Sequence, residues 1–311
     1  MSKRKRGEDE YEIPERNTVS DQDDNAVRVV NAPTPANRCL ERQIQLLLDK
    51  STISAVLDIF LAMRLSKGEN TELCKAFENT DISKNLIKTL KETDNDEDGN
   101  ISGKTLELIG DLMRNNSSMR KDFVRNGAII AIAETMKLFL HNEKLQQHGS
   151  RALFYILKDE YWKGASNIES FYDLFYDVIL NVLAEVMRKY PMNISIQKQI
   201  IAFLSCITCT YTNDEMIEKV IQMKFVEYTL DALSKNNLED IYLSRISCKL
   251  LTNLINNNDT AKACIREKDG TLILAKIENL HRKKCNDTLA DLALEVIKTV
   301  STYKVTNTQF N

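Results

Sequence analysis

Between about residue 38 and residue 303, apolar residues recur at intervals of three and four, in short runs separated by polar breaks. The clearest run is 115–157, NNSSMRKDFVRNGAIIAIAETMKLFLHNEKLQQHGSRALFYIL. It predicts a short polar helix, a break at Gly127, an apolar helix over 128–140, a polar turn near Asn142, and an amphipathic helix over 145–157. Ile129, Ile132, Ala133, Met136 and Phe139 fall on one face of the middle helix. Leu145, His148 or Gly149, Ala152, Leu153 and Ile156 do the same on the third, because residues three and four apart share a side at 3.6 residues per turn. Helices of about three turns are marginal alone in water, so each must bury its stripe against neighbours.

The other folded segments are worn copies of this unit. The apolar middle helices start at Ile82, Ala128, about Phe175, Phe225 and Thr271, a step of 46 to 50 residues. A near-constant period in that range marks helix pairs or triplets stacked side by side. The accompanying third helices fall near 103–114, 143–157, 194–210, 239–256 and 286–303. Residues 71–79 supply the first short helix. Ahead of them, Leu40, Ile44, Leu47 and Leu48 form one helical stripe and Ile53, Val56, Leu57, Phe60, Leu61 and Met63 another, with Ser51 as the N-cap between them. That pair is expected to cover the N-terminal end, as terminal units of a stack must. The expected fold is therefore all-α: a solenoid of about five three-helix repeats with a helical N-terminal cap. The expected division is a disordered charged tail at 1–37, a repeat body at 38–303 and a short tail at 304–311.

Composition narrows the function. Three of the four prolines lie in the first 37 residues and the fourth is Pro191, leaving little to interrupt helices in the body. A formal net charge of −3 with 28% charged residues of mixed sign offers no field that would select nucleic acid or a membrane surface. The seven cysteines (Cys39, Cys74, Cys206, Cys209, Cys248, Cys264, Cys285) are scattered through apolar segments and read as reduced core residues. No apolar run reaches the ~18 residues of a spanning helix, and the N-terminus lacks the pattern of a secretory signal. A cytoplasmic or nuclear protein is expected. Lys3, Arg4, Lys5 and Arg6 form a basic cluster of the kind a nuclear import receptor reads.

Several motifs carry possible chemistry. In DNDEDGNISGKTL, Asp94, Asp96 and Asp98 match positions one, three and five of an EF-hand calcium loop, with Gly99 at its sharp turn. Position twelve is Thr105 instead of the bidentate glutamate, and Glu107 comes two residues late. The stretch is therefore read as an acidic connection between two helices of a repeat, and no specific metal site is expected. Cys206 and Cys209 have the spacing of a redox or zinc pair, but they sit in the apolar helix IIAFLSCITCTY without further ligands, and are read as buried. Three scattered histidines and the absence of nucleophile-elbow, P-loop or dinucleotide motifs give no support for catalysis. Around the third repeat, Phe154, Tyr155, Tyr161, Trp162, Phe171, Tyr172, Phe175 and Tyr176 read as core filling at an irregular joint. Trp162, in the loop DEYWKG, is the alternative anchor for a partner.

NGAIIAIAETMKLF resembles the second helix of an armadillo repeat, and EKLQQHGSRALFYIL and LSRISCKLLTNLI resemble its third. The resemblance covers roughly 70–300 and is clearest in the second and fourth repeats. It implies a right-handed superhelix whose third helices line a concave groove, and it implies no enzyme and no cofactor. Importin-type members carry a tryptophan and an asparagine four apart on each third helix. Here Asn253 matches the asparagine, but Lys249 stands where the tryptophan would be, and Arg151 and Tyr155 occupy the equivalent places in the second repeat. A groove of mixed chemistry follows, binding a protein or peptide through Gln147, Arg151, Tyr155, Trp162, Gln197, Tyr242, Arg245, Lys249 and Asn253. Two other functions are compatible with the sequence: a regulatory cofactor resembling the armadillo-type nucleotide-exchange factors of chaperones, and a calcium-responsive module at Asp94 to Asp98.

Overall fold

The computed structural model describes residues 81–92, 96–156, 175–210, 214–236, 238–256 and 258–302. The expected N-terminal tail and cap, the first helix over 71–79, Asp94, Trp162 and the C-terminal tail lie outside the described residues.

Every described element is helical. In chain order they are α1 (Ile82–Lys91), α2 (Asn100–Met113), α3 (Ser117–Arg125), α4 (Ala128–Leu138) and α5 (Glu143–Ile156). A π-helical turn, Phe175–Leu180, then runs directly into α6 (Asn181–Lys189), followed by α7 (Ile194–Thr210), α8 (Asp214–Gln222), α9 (Phe225–Lys235) and α10 (Ile241–Ile255). The last three are α11 (Asp259–Glu267), α12 (Gly270–Lys283) and α13 (Asp287–Thr302). Three middle helices start where the periodicity places them, at Ile82, Ala128 and Phe225, and the fifth starts one residue early at Gly270; the residues just ahead of Phe175 lie outside the described ones.

The ends of these helices follow from capping chemistry. Asn116, Asn142, Asn193, Asp240 and Asn258 each accept, through a side-chain oxygen, the backbone N–H three residues on, at 2.9 to 3.0 Å. Such a cap satisfies one of the four N–H groups that a helix start leaves without a partner. Asn142 therefore starts α5 at Glu143, two residues before the first apolar position. The polar turn also ends α4 at Leu138, short of the expected Leu140. Entry from a first helix into a second is made through one left-handed residue: Gly127 (φ 82), Lys224 (φ 66) or Asp269 (φ 54).

Packing is in layers. The third helices stack in sequence, α2 on α5, α5 on α7, α7 on α10 and α10 on α13, and the second helices form a parallel row, α1, α4, α6, α9 and α12. The core lies between the rows. Leu106, Ile109 and Leu112 of α2, Ile132 and Met136 of α4, Leu145 and Leu153 of α5, and Phe225 and Leu233 of α9 are all essentially inaccessible to solvent. Each such side chain contributes about 1.5–3 kcal/mol when fully buried. Helices of 9 to 17 residues are thereby held by neighbours they could not do without.

A candidate binding face along the third helices

The third helices α5 and α7 are each fixed to their own repeat from beneath and to the preceding repeat from the side. Beneath, Gln146 donates through Nε2 to the carbonyls of Met136 (2.8 Å) and Phe139 (2.9 Å). Gln197 donates in the same way to Met187 (3.1 Å) and Tyr190 (3.0 Å). Both glutamines lie four residues after the capping asparagine, and both satisfy carbonyls at the open end of the second helix. At the side, Asn142 Nδ2 donates to the Asp98 carbonyl at 2.8 Å, and Asn193 Nδ2 to Glu143 Oε1 at 2.8 Å.

This arrangement corrects one expected contact residue. Gln197 is 1% exposed, with both amide hydrogens bonded to backbone, and cannot meet a partner. Its neighbour in register, Lys198, takes the outward position and forms an ion pair with Asp240, the cap of α10. Burial alone would raise the Asp240 carboxyl, but the Leu243 N–H and the Lys198 ammonium outweigh it and hold the group below its usual range.

The remaining expected residues divide by what already occupies them. Gln147 is partly buried beside Gln146. Arg151 lies across Gly110 of the preceding third helix, with Nη2 3.2 Å from the Glu107 carbonyl and 3.4 Å from Asp111 Oδ1. Beneath it His148 is buried, with Nε2 3.7 Å from Glu107 Oε2. Burial pulls the imidazole down to about 4 against the opposing Glu107 carboxylate, and Arg151 and Lys144 add to the lowering. Tyr155 is partly buried and its ring packs against Phe154 at 5.6 Å between centroids. Asn253 donates through Nδ2 to Thr208 Oγ1 at 3.0 Å and towards the Ser205 carbonyl at 3.3 Å, so its amide hydrogens tie α10 to α7. Tyr242, Arg245 and Lys249 alone stand open, at three- and four-residue spacing on one face of α10. Tyr242 is 47% exposed. Burial of part of its ring, then the nearby Cys206 and Tyr155, push its phenol above the ordinary value. Tyr242 therefore shares its surroundings with residues of both α7 and α5.

The cysteine pair also differs from expectation. Cys206 is partly buried and Cys209 is exposed, because Ile200, Ile201, Leu204 and Ile207 take the core side of α7 and leave 206 and 209 on the other. Cys285 is likewise exposed, whereas Cys248 is a core residue whose thiol burial pushes up to about 12. In the acidic connection, both Asp96 oxygens accept backbone N–H groups of α2, Ile101 at 2.9 Å and Ser102 at 2.7 Å. Helix α2 already begins at Asn100 and Thr105 back-bonds to the Ile101 carbonyl, so Asp96 acts as a helix cap and the backbone departs from a calcium loop. Among the described residues no three His, Cys, Asp or Glu side chains converge, and no helix is long and apolar enough to cross a membrane.

No protein-family model and no curated protein matches the chain. Solved structures do. A computationally designed armadillo repeat protein for modular peptide recognition is 17% identical over 83% of this chain and 99% of its own, with a TM-score of 0.60. Two engineered proteins from a structural genomics consortium are 19% and 15% identical, with TM-scores of 0.59 and 0.60, and cover 84% and 85% of this chain and 98% and 97% of their own. At these identities the likeness is one of fold. The chain has the armadillo-like repeat fold.

Proposed function

We propose that this protein is a non-enzymatic scaffold that holds a segment of a partner protein against its third-helix row, the concave side of an armadillo-like solenoid. One observation carries this reading. On α10, Tyr242, Arg245 and Lys249 project together into solvent, while the polar residues around them are committed to the fold. Exposed tyrosine and arginine on a rigid helix are the residue types that anchor interfaces, because they bring large contact area and directed donors at low ordering cost. Support also comes from the designed structural neighbour, which was built for modular peptide recognition.

A photo-crosslinking amino acid at Tyr242 tests the reading. It should capture a discrete partner from cell extract, and the same probe at Lys268, where a first helix meets a second, should not. Equal capture at both positions, or none at Tyr242, would overturn it. We further propose that Lys3 to Arg6 direct nuclear import, so that their replacement by alanine shifts the protein towards the cytoplasm.

A further inference from the structure

The charges of the third-helix row are not distributed like those of the chain. Overall the chain carries 45 acidic against 42 basic residues. Helices α5, α7 and α10, adjacent in the stack, carry Lys144, Arg151, Lys198, Arg245 and Lys249 against one carboxylate, Glu143. That carboxylate is drawn aside by the amide of Asn193. Neither α7 nor α10 contains an acidic residue within its length. The bias stops on both sides: α2 carries Glu107 and Asp111 against Lys104, and α13 carries Asp287, Asp291 and Glu295 against Lys298.

Within this strip the cations are not equivalent. Arg151 is held by Asp111 and Lys198 by Asp240. Lys144, at the start of α5, is exposed and in no ion pair among the described residues, and Arg245 and Lys249, both exposed, likewise form none there. One helical turn apart, they leave an uncompensated positive pair beside the Tyr242 ring. Burial and the neighbouring Cys209 push the Cys206 thiol of α7 above its ordinary value, and the Lys249 ammonium of α10 is near enough to oppose them. Two like charges one turn apart on a helix repel each other when nothing opposes them, so an anionic side chain seated between them gains from both.

We propose that the partner segment is acidic: a short extended peptide whose carboxylates meet Arg245 and Lys249 and whose path crosses α5, α7 and α10. This rests on the reading of the row as a partner-binding face. With neighbouring helices about 8–10 Å apart, three of them span about 20 Å, the length of roughly six extended residues at ~3.3 Å each. Nucleic acid fits less well. Its binding draws on about 6–10 phosphate contacts, and only three cations of the strip, Lys144, Arg245 and Lys249, are without an ion pair among the described residues.

Fluorescence anisotropy of labelled hexaglutamate, hexalysine, a glycine–serine hexapeptide and a short oligothymidylate with the full chain tests the proposal. Hexaglutamate should bind saturably and more tightly than the other three, and weaken as salt is raised. The double variant Arg245→Glu/Lys249→Glu should lose about tenfold or more in affinity at an unchanged melting temperature. Equal or tighter binding of any other probe, or unchanged hexaglutamate binding in the variant, would overturn the acidic assignment. The crosslink at Tyr242 separates this from the broader reading. Capture that survives saturating hexaglutamate removes the acidic partner and keeps the scaffold, whereas no capture at Tyr242 removes the scaffold itself.

Discussion

Gln146 and Gln197 occupy the same place in successive repeats, each donating from one amide nitrogen to the carbonyls ten and seven residues before it. Both are fully buried, so they replace water at the open end of the second helix. Gln197→Met keeps the volume and removes both donors, leaving the Met187 and Tyr190 carbonyls without them. A loss of about 1–3 kcal/mol is expected, measured by urea denaturation. A smaller loss would mean that water reaches those carbonyls.

Acid should weaken the joint between α2 and α5. His148 is neutral in the fold, with its pKa down at about 4, lowered by burial, Arg151 and Lys144 against the raising pull of Glu107 and Asp111. The unfolded chain takes up that proton near its ordinary pKa of about 6.5. The stabilisation is thus fully present above that value and is lost as pH falls towards 4, by at most about 3 kcal/mol. His148→Gln should flatten the dependence of melting temperature on pH between 6.5 and 5.

Two glycines of the third-helix row should respond oppositely to alanine. A Cβ on Gly149 would lie 2.6 Å from Met136 Cγ and Sδ in the core, whereas one on Gly103 would meet Leu145 at an ordinary 3.8 Å. Gly149→Ala should cost about 1–3 kcal/mol through overpacking. Gly103→Ala should gain about 0.5–1 kcal/mol, because alanine loses less backbone entropy in a helix. Parallel thermal melts of the two variants decide it.

The left-handed junctions offer a further contrast. Lys224 adopts φ 66 with a side chain that makes this region unfavourable, so Lys224→Gly should stabilise by about 0.5–1 kcal/mol. Gly127 has open space around it but φ 82, so Gly127→Ala should destabilise by about 1 kcal/mol although nothing clashes. Denaturant titration of each variant reads the sign directly.

What the sequence determined by itself was the placement of helices. Apolar residues at three- and four-residue spacing, repeated every 46 to 50 residues, leave little freedom over which stretches coil and which side of each turns inward. Ile82, Ala128 and Phe225 accordingly begin elements where the pattern puts them. The chemistry of the third-helix row was less legible, because it depends on partners that packing supplies, several of them a full repeat away in the chain. Gln197 and Lys198 are adjacent polar residues at the edge of the same stripe, yet one caps carbonyls in the core and the other reaches Asp240. Arg151 loses its availability to Asp111, 40 residues earlier, and Asn253 spends its amide on Thr208, 45 residues earlier. Periodicity reports the direction in which a side chain leaves its helix. Only the packed neighbours settle whether its donors and charge are already spent, and for Tyr242, Arg245 and Lys249 the packing leaves them open.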